Sequence, residues 1–203
     1  MTIDAIMRTA PVIPVLVIDE IAHAAPIAEA LVAGGLCVLE VTLRTPVALD
    51  VIAAMSKVAG AIVGAGTILN TADLDAAMNA GAQFIVSPGL TEPLGRAAIA
   101  SGIPFLPGIA NAGDLMRGFD MGLDRFKFFP AAAAGGLPAL KALAAPFGKA
   151  RFCPTGGISE ATALEWLAEE SVLCVGGSWV VQKGAPDLAL IRQRAATAAA
   201  LSG

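Results

Sequence analysis

Histidine occurs once in these 203 residues, tyrosine not at all and cysteine three times. With one imidazole, a Ser–His–Asp triad, a Cys–His pair or a His-rich metal centre would each depend on His23. That residue lies in Asp19-Glu20-Ile21-Ala22-His23-Ala24-Ala25, which reads as an early helical turn, so His23 is expected to be structural or at the surface. Catalysis then falls to Lys, Arg, Glu, Asp, Thr or Ser. Cys37, Cys153 and Cys174 are odd in number and sit in apolar runs. They read as reduced core thiols, which suits a cytoplasmic protein better than a disulfide framework.

Charge is also scarce. Only 15% of residues are charged, the net charge is −4, and no Lys/Arg cluster occurs, which argues against nucleic acid as a partner. Long apolar runs are missing as well, although 56% of residues are hydrophobic. A membrane span needs roughly 18 or more nearly continuous apolar residues. The longest charge-free stretch, 97–113, is broken by Pro104, Pro107 and several glycines. The N-terminus has no basic segment followed by an apolar one, so no secretory leader and no membrane association are expected.

What is present is a repeated alternation. Short runs rich in Val, Ile and Phe fall at 11–18, 38–43, 61–67, 84–89, 104–109, 125–130, 151–155 and 172–178. Each is followed by a turn signal and a stretch of helical composition, such as 71–78 and 159–167. Alternating strands and helices imply βαβ units around a parallel sheet, and near-continuous apolar strands imply burial on both faces. Eight such units in about 200 residues predict an α/β fold, a small (β/α)8 TIM barrel, as one domain over residues 1–203. The competing doubly wound sheet usually carries a Gly-rich fingerprint after its first strand. Here that strand leads into Asp19-Glu20 instead.

Three constellations carry chemistry. In Val38-Leu39-Glu40-Val41-Thr42-Leu43-Arg44, the strand period of two puts Glu40, Thr42 and Arg44 on one face, pointing into the barrel. Inside a barrel such a polar row is costly unless paired or used. The structural alternative is a buried Glu–Arg pair that holds the barrel shut. In Arg125-Phe126-Lys127-Phe128-Phe129-Pro130, Lys127 is flanked by three Phe. Desolvation and a cationic neighbour such as Arg44 would lower its pKa, leaving part of it neutral and able to form a Schiff base with a carbonyl. The alternative is a Lys127–Glu40 pair across the barrel. Thirdly, Thr155-Gly156-Gly157 and Gly176-Gly177-Ser178 end the seventh and eighth strands, where barrel enzymes frequently bind phosphate. Tight turns alone would also account for these glycines.

Read in order, Leu39-Glu40-Val41-Thr42-Leu43-Arg44-Thr45, Gly64-Ala65-Gly66-Thr67, Ser87-Pro88-Gly89, Phe126-Lys127-Phe128-Phe129-Pro130-Ala131 and Cys153-Pro154-Thr155-Gly156-Gly157-Ile158 closely resemble the 2-keto-3-deoxy-6-phosphogluconate (KDPG) aldolase family, also called 4-hydroxy-2-oxoglutarate aldolases. The resemblance runs from about Pro11 to Trp179. It implies a class I aldolase on a (β/α)8 barrel, typically a homotrimer, needing no metal and no cofactor. The implied reaction splits the phosphorylated keto acid into pyruvate and glyceraldehyde 3-phosphate, as in the Entner–Doudoroff pathway. It implies Lys127 as the Schiff-base lysine and Glu40 as the general acid/base. Arg44 and Thr67 would hold the pyruvate carboxylate, with Pro88 packing nearby. Gly156, Gly157 and Ser178 would take the distal phosphate, and Thr155 a hydroxyl of the carbon chain. Thr155 favours the gluconate substrate over its galactonate epimer, whose aldolases tend to be apolar there. Two departures stand out: Ala131-Ala132-Ala133-Ala134 where many members have a Glu, and Ile109-Ala110-Asn111 where a Ser or Thr is common. Other readings of the same residues are a phosphate-binding barrel isomerase or synthase, a metal-dependent aldolase, and a ligand-binding barrel without turnover.

Overall fold

The computed structural model describes residues 1–201. Residues 202 and 203, included in the expected domain, lie outside them. Nine strand segments follow one another: β1 (Val12–Leu16), β2 (Val38–Thr42), β3 (Ile62–Gly66), β4 (Phe84–Val86), β5 (Phe105–Leu106), β6 (Gly108–Ile109), β7 (Arg125–Phe128), β8 (Arg151–Pro154) and β9 (Val175–Gly177). The helices are α1 (Ile3–Met7), α2 (Ala24–Ala33), α3 (Ala48–Met55), α4 (Thr71–Asn79), α5 (Glu92–Ser101), α6 (Ala112–Asp120), α7 (Gly136–Ala144), α8 (Glu160–Leu167) and α9 (Leu188–Ala199).

The strands are parallel neighbours in the orders β5-β4-β3-β2-β1-β9 and β6-β7-β8. The two ladders are parts of one ring. β5 and β6 form a single stave divided at Pro107. Proline cannot donate to a ladder, but its carbonyl accepts the Lys127 N–H at 2.8 Å and carries the pairing across to β7. On the other side, parallel bridges Phe152–Val172 and Thr155–Gly176 join β8 to β9. The result is the expected (β/α)8 barrel, with α2 to α9 each following one stave.

The two faces of each strand do different work. Every residue of β1 and β2 is buried, as a parallel sheet covered by helices requires. Leu39 and Val41 face outward and join the large core under the helices, with Val63, Ala65, Ile85 and Phe126. The inward residues Ile13, Val38, Phe84, Val86, Leu106, Cys153 and Cys174 form a second, smaller core inside the ring. Ile6 and Met7 of α1 close its lower end. The carboxylate of Asp4 fastens that plug, accepting from Arg125 Nε at 2.6 Å and from Arg8 Nε at 2.9 Å. This five-residue helix was not foreseen; it is too short to show an apolar period and is held by tertiary contacts.

Local signals set the helix starts. Asn70 caps α4 by accepting from the Asp73 N–H at 2.9 Å, and Ser159 precedes α8 with its N–H donating to Thr162 Oγ1 at 3.0 Å. His23 ends a single 3-10 turn leading into α2, its ring 3.8 Å from the Glu20 carboxylate. It is half-buried there, consistent with a structural or surface role. Cys153 and Cys174 are buried thiols, while Cys37 is half-buried.

Candidate active site

Above the apolar layer, the inward positions become polar. Glu40 on β2 and Lys127 on β7 reach toward each other across the ring. Lys127 Nζ donates to Glu40 Oε1 at 2.9 Å and lies 3.3 Å from Oε2. Glu40 is only 3% exposed and Lys127 only 6%. Of the two readings the strand pattern allowed for Lys127, this is the geometry of the paired one. A buried pair of this kind is poor evidence for stability, because desolvating both ions offsets most of their attraction. Its place, toward the C-terminal ends of barrel strands, is where catalytic groups collect.

Glycines make room for the pair. A Cβ at Gly66 would overlap Glu40 Oε1, and one at Gly64 would overlap the Phe84 ring beneath it. Both glycines lie on the inward face of β3. The Gly64-Ala65-Gly66 run, which says little as a bare sequence, is therefore the clearance that lets Glu40 point at Lys127. Phe129 was also not singled out among the site residues. Its ring centroid is 5.5 Å from Lys127 Nζ, within cation–π range, and the same ring edge lies beside Gly156. Its position among the phenylalanines around Lys127 was the available signal.

The remaining predicted site residues sit at the ends of five staves on one rim. Arg44, two residues beyond β2, is exposed and donates from Nε to Thr67 Oγ1 at 3.3 Å. The charged group in direct contact with Lys127 is the Glu40 carboxylate. Thr67, directly after β3, has φ 62°. Among the described residues it is the single non-glycine with positive φ, and a β-branched side chain makes that conformation unfavourable. Strain of this sort persists where surrounding contacts impose it, often at ligand sites. Pro88 follows β4, half-buried, its carbonyl directly against Gly108. Thr155, 6% exposed, bridges to Gly176 at the β8/β9 seam.

Gly156 and Gly157 both have positive φ, at 101° and 76°. They form a turn into the N-terminus of α8, a place where backbone N–H groups favour anions. The turn is braced by the segment after Lys127: Ala131 N–H donates to Thr155 O at 2.8 Å and Ala132 N–H to Gly156 O at 3.0 Å. A Cβ at Gly157 would meet that of Ala132 at 2.5 Å. Ser178 follows β9 and is exposed. One face thus presents an amine beside a carboxylate, a guanidinium beside a hydroxyl, and a glycine turn.

The family model for KDPG and KHG aldolases matches residues 3–194. The chain belongs to this family. It is 62% identical over 198 residues to the 2-dehydro-3-deoxy-phosphogluconate aldolase of Zymomonas mobilis, covering 98% of this chain and 95% of that one. It is 58% identical over 179 residues to the KHG/KDPG aldolase of Escherichia coli K12, covering 88% of this chain and 84% of the relative. Among solved structures, the KDPG aldolase of Legionella pneumophila superposes with a TM-score of 0.95 at 44% identity, covering 98% of this chain and 99% of that one. That crystal holds pyruvate captured at low pH as a covalent carbinolamine intermediate. The motifs that carry the resemblance to this family include the residues of the rim just described.

Proposed function

We propose that this chain is a class I aldolase that cleaves 2-dehydro-3-deoxy-6-phosphogluconate to pyruvate and glyceraldehyde 3-phosphate through a Schiff base on Lys127. The observation that carries the reading is the buried 2.9 Å contact between Lys127 Nζ and Glu40 Oε1 at the barrel mouth. A lysine must shed a proton to attack a carbonyl, and a carboxylate in hydrogen-bond contact can receive it.

The steps follow from these groups. The Lys127 amine adds to the C2 ketone, and the carbinolamine loses water to give a protonated imine. Glu40, directly or through a water, takes the C4 hydroxyl proton. The C3–C4 bond breaks, its electron pair moves into the imine as an enamine, and glyceraldehyde 3-phosphate leaves. A proton returned to C3 converts the enamine to the pyruvate imine, which water hydrolyses to free Lys127. The iminium is the electron sink, so no metal takes part. Arg44 and Thr67 would hold the carboxylate, with Pro88 packing beside it. Thr155 would contact a hydroxyl, and Gly156, Gly157 and Ser178 would take the phosphate. The relative that captures pyruvate as a carbinolamine supports the covalent route.

We further infer a single-domain enzyme acting in the cytoplasm as a homotrimer, the assembly the family resemblance implies. Among the described residues no helix is long and apolar enough to cross a membrane. The test of function is steady-state cleavage of the gluconate and galactonate epimers side by side, followed by pyruvate release with chelator present. Pyruvate is expected, faster from the gluconate compound. Release of pyruvate from neither epimer would overturn the proposal, and abolition by chelator would point to a metal-dependent route.

A further inference from the structure

Two of the three thiols lie inside the barrel, and the mechanism uses neither. Cys153 stands two residues before Thr155 along β8, so both side chains face the interior. Its Sγ is 3.9 Å from Thr155 Oγ1, within range of a weak sulfur hydrogen bond in which either group can donate. Thr155 Oγ1 is also 3.4 Å from the Cys153 carbonyl oxygen. Across the seam, a Cβ at Gly176 would overlap Thr155 Oγ1, so the threonine hydroxyl occupies the space that glycine leaves open. Two residues before Gly176, on the same inward face, lies Cys174, fully buried. The neighbouring Cys153, followed by burial, pushes the Cys174 thiol up, so it stays protonated. Cys174, Cys153 and Thr155 thus form a short polar file rising through an otherwise apolar layer of Ile13, Val38, Phe84, Val86 and Leu106.

Burial alone does not require sulfur there, since an alanine or valine would fill the same kind of apolar environment. A thiol enclosed at 2% exposure is also out of reach as a nucleophile. The remaining role is orientation. A threonine hydroxyl rotates to suit its partners, and here the partner below it is fixed by the strand, with bare Gly176 beside it. We propose that Cys153 is a positioning residue that directs the Thr155 hydroxyl and through it sharpens discrimination between the two substrate epimers. The inference rests on the reading of Thr155 as a substrate contact, and the experiment separates the two.

Four variants are compared with the parent on both epimers, with melting temperature recorded: Cys153→Ala, Cys153→Ser, Thr155→Val and the Cys153→Ala/Thr155→Val double. Loss of one weak hydrogen bond in Cys153→Ala should lower the ratio of kcat/KM between the epimers by about three- to fivefold, mainly through KM. Cys153→Ser, which restores a donor and acceptor, should keep the parental ratio. In the Thr155→Val background Cys153→Ala should leave the ratio where Thr155→Val put it. If Cys153→Ala does not fold, Cys153→Val carries the same expectation. An unchanged ratio in Cys153→Ala, or an equal drop with and without Thr155, overturns the proposal. If Thr155→Val itself leaves the ratio unchanged, the reading of Thr155 fails, and this inference falls with it.

Discussion

Substituting Gly66 by alanine adds one methyl group to the protein and should disable it. The backbone does not resist the change, because Gly66 lies outside the positive-φ region where side chains are strained. The obstacle is Glu40 Oε1, which occupies the space of the new Cβ and is the atom 2.9 Å from Lys127 Nζ. Carbon and oxygen need roughly 3.5 Å between them, so the carboxylate must retreat by roughly 1 Å or more. Breaking a buried pair and leaving one charge uncompensated costs about 3–5 kcal/mol. For a domain of this size that is a fall of roughly 6–20 °C in melting temperature. A reacting group displaced by about 1 Å can lose about 10²-fold in rate. The assay is pyruvate release at saturating substrate together with a thermal melt. Gly148→Ala is the control, since no atom lies within 4 Å of a Cβ there and its φ is ordinary. The control should keep parental activity and stability. Gly66→Ala with parental kcat and melting temperature would refute the claim that Gly66 clears the space for the Glu40–Lys127 contact.

Thr67→Gly should move stability and affinity in opposite directions. Relief of the φ 62° conformation raises stability by up to about 1 kcal/mol, while loss of the hydroxyl that Arg44 Nε contacts raises KM; a melt and a steady-state curve report both. Gly157→Ala combines a positive φ with a Cβ contact on Ala132, and should raise KM for the phosphorylated substrate while cleavage of an unphosphorylated analogue is little changed. At the barrel floor, the Arg125 guanidinium holds the Asp4 carboxyl below the usual carboxylate range. A folded pKa below the unfolded one contributes stability above about pH 4 and loses it as pH falls through the folded value. Asp4→Asn should therefore melt lower than the parent at pH 7, by under about 1 kcal/mol because Asp4 is partly exposed, and the two curves should converge on acidification.

Much of this was legible in the residues because each signal was local. All eight strand runs became staves, since near-continuous Val, Ile and Phe between turn signals has few other uses. Lys127 stood out because an ammonium among phenylalanines needs a reason. Glu40 and Thr42 followed from the period of two, and Thr42 donates to Leu16 O at 2.8 Å; for Arg44 the period stops short, because β2 ends at Thr42 and Arg44 lies in the exposed turn beyond it. The fifth run, 104–109, hid the break at Pro107, where a missing N–H interrupts one ladder while the carbonyl continues the next. What could not be read depends on atoms brought together from distant parts of the chain. Gly66 clears space for a side chain 26 positions earlier. Asp4 meets Arg125 across 121 positions. The Thr67 strain and the Cys153–Cys174 contact likewise exist only once the ring has closed.

The central claim is that Lys127 forms the covalent bond to substrate. Incubating the protein with pyruvate and borohydride, then digesting it and locating the added mass by mass spectrometry, tests it most directly. The account predicts one reduced adduct, on the peptide carrying Lys127, and none in a Lys127→Ala variant. No adduct at all, or one on Lys57, Lys141, Lys149 or Lys183 with Lys127 unmodified, would contradict it.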